Sequence, residues 1–335
     1  MQAKKSISDK TIELPNHLEV RKMTQKEMYQ VKKIKRTIED LTGFSGLLEK
    51  RGWTFVFNLT PISDEESKTF AHIELKKVIE FFSQTTALVP NKTPEIRINS
   101  LDKHEGNSMP SVIVGGNFNH KAPQEIVLQR NLTQTKTKKS VVHEYMHFVV
   151  NDLQINRYRT ELEEMVKDGQ NSTEFLVHLQ NYAHIYLERA TSEAGAMLLS
   201  AMYLSQGTGN FWDEIFFGHA RDTESLQTIA ECIFHFSEGS IVDYIMGYYE
   251  NLLSTEANDL KDSISVAVKK WNMFPYLIGI AQILAVGYTE SSHPNSKTLD
   301  KILEILGGPQ KEAEQRLEYY ASEFITKFHL ERTTY

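Results

Sequence analysis

The chain lacks three features that would each point to a particular class of protein. It has one cysteine, Cys232, in 335 residues, which excludes an internal disulfide framework and is typical of a reducing compartment. It has no apolar run near the roughly 20 residues that a membrane-spanning helix needs, so we expect no membrane partner. Residues 1–16 contain no apolar stretch of the kind found in signal peptides. We therefore expect a cytoplasmic protein, although export by a route without such a signal is compatible with the sequence.

Charge is not concentrated in one part of the chain either. The 37 basic and 44 acidic residues give a formal net charge of -7. The one basic cluster, at residues 32–36, falls within a helical pattern, where we expect it to form a solvated face. Because nucleic-acid-binding domains usually carry a strongly basic surface, the sequence predicts no nucleic-acid partner.

The chain does contain the pattern H-E-x-x-H at residues 143–147. On a helix, His143 and His147 lie one turn apart on the same face, so both imidazoles can bind one metal ion. Glu144 is rotated by about 100° from His143, where it can accept a proton from a water without being a ligand. All other residues of the segment 141–150 are apolar or aromatic, so the helix is predicted to be buried. A chance match would be expected on an exposed polar face, and the pattern therefore predicts a zinc site.

A catalytic zinc site needs three protein ligands and one open position. No further histidine follows at the spacing H-E-x-x-H-x-x-G-x-x-H, so we expect a carboxylate from a later helix. Glu188 and Glu193 both lie in the helical pattern over residues 173–204. Glu193 falls in the apolar stripe of that helix, where an unpaired carboxylate would cost on the order of several kcal/mol. This favours Glu193 and leaves Glu188, on a more polar face, as the alternative.

Strand patterns are confined to the part of the chain before the motif. The sequence predicts strands at residues 53–59, 95–99, 111–118 and 125–129. It predicts helices at residues 24–42, 63–88, 157–168, 173–204, 211–218, 222–236, 239–254, 256–270, 274–287, 297–306 and 310–328. We therefore predict an α+β protein with an N-terminal helical segment (1–50), a mixed part that includes the motif helix (51–153) and a helical part (154–335) that carries the third ligand.

The order of strand, helix, three strands and motif helix resembles the upper subdomain of the zincin metallopeptidases. Residues 192–196 resemble the third-ligand segment of the glutamate zincins, or gluzincins, and residues 188–192 resemble ligand segments of other families, including the oligoendopeptidases. The resemblance implies a zincin-like fold, a bound Zn²⁺ ion and hydrolysis of peptide bonds with Glu144 as general base.

A second resemblance concerns Tyr276. Residues 274–281 and 301–308 are similar to the C-terminal part of the oligoendopeptidase F and thimet oligopeptidase group. In that group a tyrosine followed by glycine three residues later lines the active site and helps to hold the scissile carbonyl, which implies this role for Tyr276. Tyr182 and Tyr186 are alternatives for the same role, and Tyr276 could equally be a core aromatic residue.

These expectations together describe a zinc-dependent peptidase with a peptide or protein substrate. The strand around residues 112–118 could offer an edge on which an extended peptide adds as a further strand. Two alternatives remain open at this point. One is a dedicated effector or regulatory protease with a single protein target, and the other is a non-catalytic zincin-like binding protein.

Overall fold

The computed structural model describes residues 23–45, 61–99, 116–119, 125–130, 132–153, 155, 172–206, 211–216, 219–220, 222–255 and 260–330. Its helices are α1 (Gln25–Thr42), α2 (Asp64–Thr85), α3 (Gln134–Asp152), α4 (Ser172–Ser205), α5 (Phe211–Phe216), α6 (Thr223–Ser237), α7 (Ile241–Thr255), α8 (Leu260–Glu290), α9 (Ser296–Gly307) and α10 (Gln310–Lys327). Its strands are β1 (Glu95–Asn99), β2 (Gly116–Asn119) and β3 (Glu125–Gln129). The described part of the chain is thus mostly helical with a small sheet, which confirms the α+β class.

The N-terminal ends of α1 and α2 form where the sequence predicts them. Thr24 and Glu27 form a reciprocal capping box, in which the Thr24 hydroxyl accepts from the Glu27 N–H at 3.3 Å. Ser63 does the same for Glu66. Such caps satisfy backbone N–H groups that have no partner within the helix. Helix α1 ends before Gly43, whose φ of 65° lies in the left-handed region that glycine adopts without strain.

The three strands form one mixed sheet in the order β1-β3-β2. Strand β1 is parallel to β3, with Glu95 opposite Glu125, and β2 is antiparallel to β3, with Gly116 opposite Leu128. Within the described strands, β2 is therefore an edge. The predictions at 95–99 and 125–129 are confirmed. The predicted strand at 53–59, the first part of the predicted strand at 111–118 and the predicted helix at 157–168 lie outside the described residues.

The prediction of two separate helices at 256–270 and 274–287 is wrong, because α8 is one continuous helix with Pro275 inside it. Proline lacks an N–H group and removes one helical hydrogen bond, at a cost of about 3 kcal/mol. Phe274, Leu277 and Ile278 are buried around it. Burial of each such side chain stabilises the fold by about 1.5–3 kcal/mol, so packing outweighs the cost of the proline.

Helix α3 lies in the core, in contact with β2, β3 and α2 and also with α4. Helix α4 in turn packs against α8, α9 and α5. The contact between α4 and α8 is close at Gly279, where a Cβ atom would lie only 3.0 Å from the Ala190 carbonyl oxygen. The sheet thus contacts α3, α3 contacts α4, and α4 contacts α8, so that these three helices come together around the motif. None of the helices in the described part of the chain has both the length and the apolar character needed to cross a membrane.

Candidate metal centre

The H-E-x-x-H pattern lies in the second half of α3, which is buried as the sequence predicts. The helix begins after Thr133, whose hydroxyl accepts from the Lys136 N–H at 3.3 Å. The His147 side chain is 4 % exposed and the His143 side chain 19 % exposed. Glu144 is also buried. A helix that buries ionisable groups in this way must supply them with partners.

Helix α4 supplies the partner, and it is Glu193. The Glu193 Oε2 atom lies 3.1 Å from His143 Nε2 and 3.4 Å from His147 Nε2. The two Nε2 atoms are 3.3 Å apart. Three side chains from two helices therefore direct one ligand atom each towards a common point. Within the described residues this is the one group of three or more histidine, cysteine or acidic residues that converges in this way.

The three separations fit a metal ion. Nitrogen and oxygen ligands lie about 2.0–2.1 Å from a tetrahedral zinc ion, and so about 3.4 Å from one another. The observed distances of 3.1, 3.3 and 3.4 Å are close to that value. Two histidines and one glutamate are also a donor set that catalytic zinc sites use. If both Nε2 atoms of His143 and His147 carried protons, their N–H groups would converge and repel each other, whereas a cation can accept both lone pairs.

Ser192 orients one of the two imidazoles. Its Oγ atom lies 3.1 Å from His147 Nδ1, so the hydroxyl can accept a hydrogen bond from Nδ1–H. That tautomer leaves the Nε2 lone pair of His147 directed at the cluster, which is the arrangement that metal-binding histidines normally require. Ser192 was not among the predicted site residues. It directly precedes Glu193, so adjacent residues of α4 supply one candidate ligand atom and the group that orients another candidate ligand.

Glu193 is ionised in this environment. Burial by itself raises the pKa of Glu193, because a buried carboxylate loses its hydration. Without a cation at the cluster, the charge of a protonated His147 and the hydrogen bonds from His143 and His147 outweigh that effect and hold the pKa of Glu193 well below the usual range of a glutamate. A carboxylate that stays ionised in a buried position is suited to binding a cation.

The structure separates the two candidates for the third ligand. Glu188 is half-buried and does not belong to the group formed by His143, His147 and Glu193. Glu144 lies beside His143 on α3, and among the described residues no side chain donates a hydrogen bond to it or pairs with it. The geometry thus brings together Glu193 and both histidines, with Glu144 adjacent to them in the helix.

Tyr276 is the tyrosine that the structure places beside the cluster. Its ring is half-buried, with its centroid 6.3 Å from that of His143. A second neighbour is His219, whose ring stacks on Tyr276 with a centroid distance of 4.2 Å and an interplanar angle of 15°. Tyr186, by contrast, is fully buried and packs against Phe274, so it is a core residue. The side chain of Tyr182 lies outside what the structure describes.

His219 is a second residue that the sequence did not single out. It stands in a turn after α5, with no motif around it, and only folding brings it to Tyr276 on α8.

Comparison of the chain with protein-family models, with curated proteins and with solved structures finds no match. The geometry of the cluster and its surroundings is therefore the basis for inferring what the protein does.

Proposed function

We propose that the protein is a zinc-dependent peptidase of the gluzincin kind, with a zincin-like fold and with His143, His147 and Glu193 as the metal ligands. The observation that carries this proposal is the convergence of one atom each from His143, His147 and Glu193 at 3.1–3.4 Å, with both histidines on the helix that holds Glu144. When bound, zinc would act as a Lewis acid that polarises the substrate carbonyl and lowers the pKa of water towards about 7.

Glu144 is the general base and acid of the proposed reaction. Its carboxylate accepts a proton from the water whose oxygen attacks the carbonyl carbon of the peptide bond. As the carbon–nitrogen bond breaks, Glu144 returns that proton to the leaving amine. The products are a carboxylic acid and an amine, and the enzyme is restored. Its position next to His143 on α3 suits this role, because it is close to the cluster without being one of the converging ligands.

Tyr276 is the proposed hydrogen-bond donor to the substrate. Its phenol can donate to the carbonyl oxygen, on which negative charge develops as the water attacks. The position of its ring beside His143 supports this role. Tyr186 is not suited to it because its ring is enclosed in the core.

The proposed substrate is an extended segment of a peptide or protein. Strand β2 is an edge of the described sheet and packs beside α3, so an extended peptide could add to the sheet at β2. Such pairing would form hydrogen bonds with the backbone of the peptide and would align the peptide along α3, which carries the two histidines of the cluster.

The decisive experiment compares the parent protein with Glu144→Gln. We expect one zinc ion per chain in both proteins, measured by elemental analysis, and hydrolysis of a mixed peptide library by the parent alone. Near-parental hydrolysis by Glu144→Gln would rule out the mechanism. A parent that holds zinc and cleaves neither the library nor unfolded proteins would be a binding protein. Cleavage of a single folded protein only would identify a dedicated protease.

A further inference from the structure

The ring of Tyr276 lies near two histidines that belong to different parts of the molecule. The ring of His143 on α3 is tilted by 35° at a centroid distance of 6.3 Å. The ring of His219 is nearly parallel, at 15°, and its centroid is only 4.2 Å away. The shorter and more nearly parallel contact is thus made by His219, which does not belong to the group formed by His143, His147 and Glu193. A stacked arrangement of this kind fixes the plane of an aromatic ring.

The segment that carries His219 is itself held firmly in place. In the turn after α5, the N–H groups of His219 and Ala220 both donate to the carbonyl of Phe216, at 3.2 and 3.1 Å. Phe216 is fully buried and meets the edge of Phe44 at 4.9 Å. His219 and Ala220 are therefore hydrogen-bonded to the backbone of a residue whose side chain is anchored in the core.

A second connection ties α5 to the motif helix. Glu214 of α5 pairs with Lys139 of α3 at 2.6 Å, and both side chains are largely shielded from solvent. Lys139 stands four residues before His143 and so lies on the same face of α3. The position of His219 is thus coupled to the helix that presents the two metal-binding histidines.

The side chain of Tyr276 is half-buried, while those of its neighbours Phe274 and Leu277 are buried in the core. A partly exposed tyrosine side chain has two torsion angles, and a ring stacked on its face favours one orientation. His219 provides such a stacked ring for Tyr276.

We propose that His219 is a positioning residue for Tyr276. By stacking on the ring, His219 holds the phenol where it can donate to the carbonyl oxygen of a substrate, and it does so through its planar shape. This inference rests on the proposed function for its catalytic consequence. The stack itself belongs to the folded protein and can be tested without any activity.

The first experiment measures the stack in the metal-free protein. Proton–carbon correlation spectra of the full chain with isotope-labelled histidine should contain an imidazole signal that is moved upfield by the ring of Tyr276. Its absence from the spectrum of His219→Phe assigns that signal to His219. In Tyr276→Leu the same signal should move downfield. A signal that does not move in Tyr276→Leu would overturn the proposal, whether or not the protein is a peptidase.

The second experiment measures turnover with zinc bound. Because small misplacements of a catalytic group are costly, we expect kcat to fall about tenfold in His219→Ala, with KM and zinc affinity near the parental values. His219→Phe keeps a flat ring and should recover most of the parental kcat. Equal losses in both variants would show that the imidazole itself acts on the substrate, and no loss in either would show that Tyr276 needs no support. Both results overturn the proposal.

A matched control is available elsewhere in the molecule. His235 stacks on Tyr244 with nearly the same geometry, at 4.3 Å and 16°. Tyr244 in turn contacts Phe274, at 6.1 Å. No described ring contact or hydrogen bond of His235 or Tyr244 involves Tyr276 or the cluster, so His235→Ala should leave kcat at the parental value at neutral pH. A tenfold fall in this variant as well would mean that loss of any such stack disturbs the fold, and it would remove the support from the kinetic result.

Discussion

The Ser192 Oγ atom lies 3.1 Å from His147 Nδ1, and this contact links α4 to α3 at the point where the proposed metal ligands converge. The partner of the imidazole is a neutral hydroxyl. A hydroxyl fixes the orientation of the imidazole ring as a carboxylate would. Because it is neutral, it offsets less of the positive charge that a bound cation induces on the ring.

The first prediction concerns this contact. Ser192→Ala removes the acceptor for Nδ1–H of His147, so the imidazole loses its preferred tautomer and orientation. We expect zinc affinity to fall by about 10–100-fold, measured by competition with a chelator. Ser192→Thr keeps the hydroxyl and serves as the control. Unchanged affinity in Ser192→Ala would show that the hydrogen bond does not orient the ligand.

The second prediction separates the two candidate glutamates. Glu193→Gln replaces the carboxylate that lies between His143 and His147 by an amide, which is a poor zinc ligand, so zinc should be lost as fully as in His143→Ala or His147→Ala. Glu188→Gln should bind zinc like the parent, because Glu188 stands outside the converging group. Chelator competition on all four variants gives the answer. Loss of zinc from Glu188→Gln together with its retention by Glu193→Gln would refute the ligand assignment.

The third prediction concerns the close approach of α8 to α4. A Cβ atom on residue 279 would lie 2.9 Å from Met197 Cε and 3.1 Å from the Ala194 backbone nitrogen. Gly279→Ala should therefore push α8, with Tyr276, away from the helix that carries Glu193. We expect a destabilisation of about 1–3 kcal/mol in urea unfolding, and a lower kcat with zinc retained.

The control for that prediction is Gly195, on the side of α4 that faces α3. At Gly195 the nearest atom to an added Cβ would be Met146 Cε at 3.6 Å, which is an ordinary contact. Gly195→Ala also gains helix propensity of about 0.5–1 kcal/mol. It should be as stable as the parent or slightly more stable. If Gly195→Ala were the more damaging of the two changes, the described packing of α4 would be wrong.

The fourth prediction is a pH dependence of stability that originates at His235. Burial lowers the pKa of His235 to about 4, and the charge of Glu27 offsets only part of this effect. The imidazole also contacts Ser240, with 2.9 Å between Nδ1 and Oγ. The unfolded chain binds a proton at His235 more tightly than the folded protein does. The contribution of neutral His235 to the free energy of unfolding is therefore fully present above about pH 6.5 and is lost as pH falls towards about 4.

His235→Phe removes the titrating group and keeps a ring that can stack on Tyr244. The variant should lose less stability than the parent between pH 7 and pH 4.5, as measured by urea unfolding at several pH values. Parallel curves for the two proteins would show that His235 does not titrate differently on folding.

The sequence predicted the elements whose signals are local. The capping boxes at Thr24 and Ser63 depend on residues three apart, and the buried character of α3 follows from the apolar residues around His143. The preference for Glu193 came from its place in the apolar stripe of one helix, and the structure brings that residue to the histidines. In each case the informative residues lie within a few turns of one another.

What the sequence did not predict depends on contacts between distant segments. Pro275 indicates a helix break by its local chemistry, but the packing of α8 in the core overrides it. His219 has no pattern around it, and its meaning comes from Tyr276 on another helix. Ser192 belongs to the segment that resembles a third-ligand motif, but its contact with His147 is visible only when α3 is packed against α4. These three residues acquire their roles only in three dimensions.

The division of the proposed ligands between two helices has a consequence for the biogenesis of the protein. His143 and His147 lie on α3, whereas Glu193 lies on α4 and is synthesised later. In a nascent chain whose α4 has not yet packed against α3, only two of the three proposed ligands, His143 and His147, are together, and the proposed metal centre is incomplete. In a peptidase this order would act as a safeguard, because the catalyst could not be assembled while the chain was itself still an unfolded polypeptide open to cleavage.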